Sequence, residues 1–372
     1  MNDPSSLNLE GPRVRQQRLI EWMREHKLDL VVATSHANVQ WLSGQYLRGL
    51  FQAAMAISVD GQTTLILPET VPLDGLTDNL LTYPAQLCAT LRNDQADACQ
   101  HLLAESLGNL GEARLGVEFS SFPQHLLRRL EITEAEAIED IEPALYQLRR
   151  IKHADELAAI QVAIGATEKM YTRAREIIRP GISELEVFSE LQAAAVQHCG
   201  EMLTATGNDY QCNSPGGPPR QGVLAEAGQL YILDLGPSYR GYFADNCRTI
   251  AVTDTTAEQR EALTWIMRAF ELVEERVRPG ASARQLYEDV RQLLEQAPIG
   301  EFFHHLGHGF GLYPHEAPHL NPNWDDTFQL GEVFTAEPGL YDPRLAAGMR
   351  IENNYLVTAN GLQRLTNFSM EL

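Results

Sequence analysis

Apolar residues in the first part of the chain alternate between helical and strand-like spacing. Between residues 14 and 26 they recur at the interval of an amphipathic helix, and residues 28–34 form a short apolar run typical of a buried strand. Residues 53–67 contain two apolar runs on either side of Asp60-Gly61, a dipeptide favoured in hairpin turns. Residues 115–119 predict another strand, followed by a helix. This alternation predicts an α/β domain.

The predicted α/β domain covers residues 12–147, and a leader predicted to be disordered, residues 1–11, precedes it. A basic, helix-prone segment at residues 148–152 follows the acidic stretch 134–142, and we place the start of a second domain, residues 148–372, at this change. The length of the chain also favours two domains, because single hydrophobic cores stop growing at roughly 250–300 residues.

The second domain begins with long helical periodicity and then becomes rich in strands. One amphipathic helix is predicted over residues 155–178, where Arg179-Pro180-Gly181 ends it, and another over about 183–198. The remaining predicted elements are strands over residues 230–235, 241–252, 332–337 and 349–358 and a helix pair over about 257–277 and 282–295. Helices gathered against an antiparallel sheet give an α+β domain.

Composition and charge argue against several classes of partner. The chain has 29 basic and 50 acidic residues, a formal net charge of −21, whereas nucleic acids and anionic membrane surfaces attract an excess of Lys and Arg. No apolar stretch approaches the roughly 20 residues of a membrane-spanning helix, and no signal peptide is expected before Pro12. The five scattered cysteines include no CxxC pair, which favours a reducing cytoplasm.

Two aspartates interrupt apolar strand sequences. Asp234 lies within the run Tyr-Ile-Leu-Asp-Leu-Gly, and Asp245 repeats this context 11 residues later (245 − 234). The turn-forming segment 236–241 between them allows the two carboxylates to face each other on neighbouring strands. Carboxylates buried this close together would repel each other, and one would hold a proton, unless a cation lay between them.

Two glutamates follow in similar contexts. Glu337 lies at the end of one predicted strand and Glu352 in the middle of another. Arg350, two residues before Glu352, shares its strand face and is predicted to orient its carboxylate. A single acid of this kind is usually a surface carboxylate or part of a salt bridge, but four in apolar strand contexts indicate a metal site.

Histidines supply the fifth predicted ligand. Five of the 11 histidines lie between residues 304 and 319, and glycines on both sides of His308 allow the backbone to approach a site closely. We assign His308 to the metals and His315 to the same site. A packing role suits His305 and His319.

The predicted ligand set combines one imidazole with four carboxylates. Such an oxygen-rich set suits Mn²⁺ first, with Co²⁺, Fe²⁺ or Zn²⁺ as further candidates, and four carboxylates balance two divalent ions. Two ions can share a bridging hydroxide, because they lower the pKa of the water from which it forms. The predicted ligands are Asp234, Asp245, His308, Glu337 and Glu352.

With these residues the chain resembles the pita-bread-fold metallohydrolases, the family of methionine aminopeptidase, aminopeptidase P, prolidase and creatinase. The resemblance implies an α+β pita-bread catalytic domain preceded by a smaller creatinase-type α/β domain. It also implies that Asp245 and Glu352 bridge the two ions, that Asp234 binds one, and that His308 and Glu337 bind the other. Glu337 would also move the proton, and His315 would stabilise the tetrahedral intermediate. A homodimer is implied as well.

Within this family the resemblance favours a cytoplasmic Xaa-Pro peptidase, like aminopeptidase P or prolidase, that acts on short proline-containing peptides. His304 lies where proline-specific members carry a substrate-side histidine, and it joins His315 and Arg350 in the predicted substrate-binding set. Two departures keep a small-molecule amide hydrolase or lyase open as an alternative. Gly217 stands where those members carry a histidine, and residues 319–336 contain no Lys or Arg. A non-catalytic binding module is a third hypothesis.

Overall fold

A computed structural model of the chain describes residues 9–132, 137–207 and 209–372. The chain divides into two units, Met1–Arg149 and Arg150–Leu372, whose boundary falls two residues after the predicted one (149 against 147). Most of the predicted leader, and part of the acidic stretch before the boundary, lie outside the described residues. The first helix already includes Glu10 and Gly11, which the prediction had placed in the leader.

The first unit contains a mixed sheet of six strands flanked by helices. Its helices are α1 Glu10–His26, α2 His36–Ser43, α3 Gln95–Leu107, α4 Gln124–Arg129 and α5 Glu142–Leu148. Its strands are β1 Leu30–Ala33, β2 Ala54–Ser58, β3 Thr63–Pro68, β4 Asn79–Tyr83, β5 Gln86–Leu87, β6 Thr90–Leu91, β7 Leu115–Val117 and β8 Ile138–Asp140. The six-stranded sheet has the order β4-β3-β2-β1-β7-β8.

The strand pairing explains the apolar pattern of this unit. All four residues of β1 are buried, because β1 is a central strand, antiparallel to β2 and parallel to β7. The predicted hairpin is confirmed, since β2 and β3 pair antiparallel and Gly61 in their turn has a positive φ of 94°.

The second unit packs four helices against antiparallel strands, as predicted. The helices are α6 Ala154–Ile177, α7 Glu184–Cys199, α8 Ala257–Arg276 and α9 Ala283–Leu294. The strands are β9 Asp209–Cys212, β10 Leu230–Leu235, β11 Ser238–Tyr239, β12 Tyr242–Phe243, β13 Asn246–Ala251, β14 Gly307–Gly309, β15 Glu316–Leu320, β16 Val333–Ala336, β17 Gly339–Leu340, β18 Met349–Arg350, β19 Asn353–Thr358 and β20 Gly361–Arg364.

Two sheets of this unit each bury one face under a helix pair. The sheet β13-β10-β9 packs on α6 and α7 through residues such as Met170, Leu191 and Leu233. The sheet β15-β14-β16-β19-β20 packs on α8 and α9 through residues such as Phe270 and Phe334. The described part of the chain contains no helix that is both long and apolar enough to cross a membrane.

Two of the predicted strands are interrupted next to a predicted metal ligand. The predicted strand 241–252 is split into β12 and β13, with Asp245 between them, and the predicted strand 349–358 is split into β18 and β19, with Glu352 between them. The backbone at these breaks leaves the regular ladder. As a result, carboxylates from two different sheets turn toward each other.

Arg248 of β13 connects its strand to the chain segment that contains Glu352. Its side chain is 0% exposed and donates hydrogen bonds to the carbonyl oxygens of Glu352 and Ser369 and to Oδ1 of Asn353. Arg248 therefore ties β13 to the segment that carries Glu352 and to the last residues of the chain.

Replacing this guanidinium tests its contribution to stability. Arg248→Met is expected to lower the free energy of unfolding by about 2–4 kcal/mol, because buried carbonyl acceptors lose their donor. Arg276→Met is the matched control, since that side chain is 57% exposed and lies 4.0 Å from the nearest carboxylate. Urea unfolding measures both variants, and equal stabilities would contradict this role.

Candidate metal centre

A single cavity of about 430 Å³ collects every residue that the sequence assigned to the site. These residues are Asp234, Asp245, His304, His308, His315, Glu337, Arg350 and Glu352. A volume of this size lies within the range of small-molecule and peptide sites. The cavity lies within the second unit, between the two sheets described above.

The two aspartates come from adjacent strands. Asp234 lies in β10 opposite Cys247 of β13, so Asp245, which immediately precedes β13, lies beside Asp234. Glu352 reaches the same place because its backbone N–H donates a 2.9 Å hydrogen bond to the Cys247 carbonyl. This hydrogen bond connects the three-stranded sheet to the chain segment between β18 and β19.

The glycines around His308 allow the close backbone approach that the sequence predicted. A Cβ atom at Gly307 would overlap with the carbonyl oxygen of Thr335, and one at Gly309 with that of Ala317. The imidazole between them is oriented by its Nδ1–H, which donates to the Gly309 carbonyl at 3.0 Å. The lone pair of Nε2 is therefore directed into the cavity.

Two of the converging donor groups, His308 Nε2 and the Glu352 carboxylate, make no good hydrogen bond within the site. His308 Nε2 lies 3.6 Å from Asp245 Oδ2 and 3.6 Å from Glu337 Oε1, too far for good hydrogen bonds. Ligand atoms of Asp234, Glu337 and Glu352 lie within 4.8 Å of one another. Both carboxylate oxygens of Glu352 are buried and have no hydrogen-bond partner among the described residues.

Buried carboxylates without partners are strongly destabilising unless a cation accompanies them. Burial raises the pKa of the carboxyl groups of Asp234, Asp245 and Glu352, and repulsion from neighbouring carboxylates raises it further. For Glu337 the same causes, opposed by nearby Arg350, raise the pKa to about 8. The residues therefore fit divalent cations, which oxygen and imidazole donors bind well.

The sequence analysis predicted that Arg350 orients the carboxylate of Glu352, but in the structure Arg350 contacts other residues. Its guanidinium donates to Asp234 Oδ2 at 2.8 Å and also pairs with the carboxylate of Asp209. The prediction was wrong because β18 ends at Arg350 and β19 begins at Asn353, so residues 350 and 352 do not share one regular strand.

His304 is held by two hydrogen bonds within the protein. Its Nδ1–H donates to the His305 carbonyl at 2.7 Å, so its Nε2 accepts from the hydroxyl of Tyr341 at 2.9 Å. That hydroxyl in turn accepts a 3.0 Å hydrogen bond from Arg350. Burial lowers the pKa of His304 to about 3, so its imidazole is neutral at physiological pH.

The other three histidines considered in the sequence analysis have different outcomes. The ring of His315 stacks on His308 with centroids 3.7 Å apart. His319 has the expected packing role, since it hydrogen-bonds Asp326 and stacks on Trp324. His305, however, lines the cavity, with Nδ1 3.4 Å from Glu337 Oε1.

Sequence reasoning missed two further residues of the cavity. Asp209 lies in β9 directly opposite Asp234, a pairing that no local pattern reveals. Tyr341 lies four residues after Glu337, and the sequence analysis gave it no role in the site. Both bind Arg350, so both could have been found only by searching for the partners of a buried guanidinium.

Comparisons with known proteins agree with this picture. The family model for metallopeptidase family M24 matches residues 158–359, and that for the creatinase/prolidase N-terminal domain matches residues 15–151. The Xaa-Pro dipeptidase of Pyrococcus horikoshii is 29% identical over 365 residues, covering 96% of this chain and 97% of that protein. The Xaa-Pro dipeptidase of Pyrococcus furiosus is also 29% identical, covering 96% and 99%.

Solved structures support the same fold. Prolidase from Pyrococcus furiosus superposes with a TM-score of 0.77 at 26% identity, covering 94% of this chain and 99% of that one. Escherichia coli aminopeptidase P, at 18% identity, has a TM-score of 0.77 and covers 97% and 95%. The predicted creatinase-type α/β domain and α+β pita-bread catalytic domain are thus confirmed as the fold class.

The raised carboxyl pKa values predict how pH acts on the metal-free protein. A carboxyl whose pKa is higher in the folded state contributes stability at low pH and loses it as pH rises through the folded pKa. For Glu337 this window runs from 4.5 to about 8. After chelation, the melting temperature is therefore expected to fall across this window, whereas added divalent metal should raise it most at the upper end.

Calorimetry with and without chelator measures both slopes. Glu337→Gln is the matched variant, because it keeps the shape of the side chain but cannot titrate, and it should flatten the pH dependence of the metal-free protein. A metal-free melting temperature that rises from pH 5 to 8 would contradict the assignment.

Proposed function

The chain belongs to metallopeptidase family M24, and on that premise we propose that it is a dinuclear-metal-dependent Xaa-Pro peptidase of the prolidase or aminopeptidase P type. One observation carries the proposal: His308, the buried Glu337, the buried and unpartnered Glu352, and Asp234 and Asp245, which are at most 17% exposed, converge on one peptide-sized cavity. Similarity to two Xaa-Pro dipeptidases over nearly the whole chain supports the choice of substrate.

Five residues would hold the two ions. Asp245 and Glu352 would bridge them, Asp234 would bind one, and His308 with Glu337 would bind the other. When bound, such ions would lower the pKa of a coordinated water and polarise the scissile carbonyl. Mn²⁺ is the first ion to test, and Co²⁺, Fe²⁺ and Zn²⁺ are alternatives.

The remaining chemistry belongs to protein side chains. The Glu337 carboxylate would take a proton from the attacking water and deliver it to the proline nitrogen as the peptide bond breaks. The imidazole N–H of His315 would donate to the developing oxyanion. The hydrogen-bonded series Arg350, Tyr341 and His304 would keep the substrate-side wall in one orientation.

Phe303 supplies an apolar surface that suits proline. Its side chain is 65% exposed, lines the cavity, and lies against the Tyr341 ring with centroids 4.7 Å apart. An apolar wall of this kind would pack against a pyrrolidine ring or an aliphatic side chain of the substrate.

A small-molecule amide hydrolase or lyase is the second candidate, favoured by the loop at residues 213–220. A Cβ at Gly216 would overlap with the Asp209 carboxylate, and one at Gly217 would lie 2.6 Å from Gln211 Nε2. Gly217 also has a positive φ of 123°, so a histidine at this position, as in proline-specific relatives, would strain the backbone. Arg220 is paired with Glu184 at 2.6 Å, so its guanidinium is already engaged and is not directed to a dipeptide carboxylate.

Assembly and location complete the proposal. The family resemblance and the charge balance favour a homodimer that acts in the cytoplasm on short proline-containing peptides. They favour no nucleic acid or membrane partner. Both the dimer and the location stay predictions.

A substrate panel decides between the two candidates. The metal-reconstituted chain is expected to cleave Xaa-Pro dipeptides or peptides of three to five residues, and to leave matched Xaa-Ala peptides intact. His308→Ala should reduce kcat/KM by at least about 100-fold, because even residues that only support metal ligands typically cost 10–100-fold. Arg276→Met should keep full activity.

Product analysis by mass spectrometry with each candidate ion measures these outcomes. Cleavage of cyclic or other non-peptide amides, with every peptide left intact, would replace the proposed peptidase with the second candidate. No turnover of any amide with any ion would contradict both.

A further inference from the structure

The cavity contains more imidazole than the five predicted ligands use. His305 precedes β14 and lines the cavity with a side chain that is 33% exposed. Its ring centroid lies 5.4 Å from that of His308, and its Nδ1 lies 3.4 Å from Glu337 Oε1. Nothing in the proposed mechanism requires this side chain.

The spacing of these donor atoms matches coordination of one ion. Ligand atoms of His305, His308 and Glu337 all lie within 4.8 Å of one another, and Glu337 Oε1 lies 3.4 Å from His305 Nδ1 and 3.6 Å from His308 Nε2. Bonds of about 2.0–2.1 Å around a tetrahedral ion separate its ligand atoms by about 3.4 Å. Direct N–H···O hydrogen bonds are shorter, about 2.9 Å.

The backbone keeps His305 near Glu337. The residue after His305, Leu306, accepts a 2.8 Å hydrogen bond from the Glu337 N–H and donates another of 2.8 Å to the Leu320 carbonyl. On the other side, the carbonyl of His305 accepts the Nδ1–H of His304. These hydrogen bonds fix the main chain at His305 on both sides, which favours a defined position for its ring.

We propose that His305 is a further ligand of the ion held by His308 and Glu337. This inference rests on the metal site of the proposed function. It increases the chemical difference between the two metal positions, because one would have two imidazoles and the other, around Asp234, only carboxylate oxygens. Nitrogen donors favour Co²⁺ and Zn²⁺ over Mn²⁺, so the imidazole-rich position should select the former ions.

His315 is the competing source of a second nitrogen. Its ring stacks on His308, and its donor atoms group with those of Asp245 and His308 within 4.8 Å. The proposed function assigns His315 to the substrate, so it provides a comparison with an imidazole whose ring lies nearer to His308, 3.7 Å against 5.4 Å between centroids.

Pulsed electron paramagnetic resonance of the Mn²⁺-loaded full-length chain counts coordinated nitrogens. Two nitrogens are expected in the unsubstituted protein, one in His305→Ala and two in His315→Ala. In titration calorimetry, His305→Ala should weaken Co²⁺ or Zn²⁺ binding at one position by about 10-fold or more. The carboxylate position should bind as before, which also shows that the variant is folded.

The assignment would be overturned by a single coordinated nitrogen in the unsubstituted protein or by two in His305→Ala. Loss of the second nitrogen in His315→Ala would also overturn it, and so would absence of metal binding. Neither measurement needs a substrate. The two proposals can therefore fail independently. If the nitrogen counts are as expected but the chain cleaves no Xaa-Pro peptide, His305 is upheld as a ligand and the proposed peptidase activity is refuted.

Discussion

The convergence of four largely buried carboxylates in one cavity is the constraint on which the catalytic unit depends. Arg350 is the guanidinium that contacts this group, and it pairs with Asp209 as well as with Asp234. Asp209 balances the charge of Arg350, so the four carboxylates keep a combined charge that two divalent ions would neutralise. Glu352, whose oxygens have no hydrogen-bond partner among the described residues, is the group that most needs a cation beside it.

The fold meets this constraint by interrupting its own strands. Regular ladders would direct neighbouring side chains to opposite faces of one sheet. The breaks at Asp245 and Glu352 release these residues from the ladder, and the hydrogen bond from Glu352 to Cys247 joins the two sheets at the site. Arg248, buried behind this junction, donates a hydrogen bond to the carbonyl of Glu352, and the side-chain amide of Asn354 donates one to the carbonyl of Asp245.

Whether a residue of the site can be predicted from the sequence depends on how far along the chain its partners lie. Asp234 and His308 are recognisable because a charge in an apolar strand, or glycines on both sides of a histidine, are local patterns. Asp209 is not recognisable, because its role comes from pairing with a strand more than 20 residues away in the chain. The partner of Arg350 was predicted wrongly for a related reason, since side-chain direction at a strand break depends on the opposing sheet.

Asp209 also links metal chemistry to substrate recognition. Its Oδ1 accepts the Gly217 N–H at 2.7 Å while its other oxygen holds Arg350, so one carboxylate fixes both the glycine loop and the guanidinium beside Asp234. A Cβ at Gly216 would overlap with the Asp209 carboxylate, which holds Arg350 beside Asp234. Gly217 has a positive φ of 123°, so a histidine at that position would strain the loop that Asp209 anchors. The glycines of this loop therefore suit the support of Arg350, and Phe303 and His304 remain as the candidate recognition surface of the cavity.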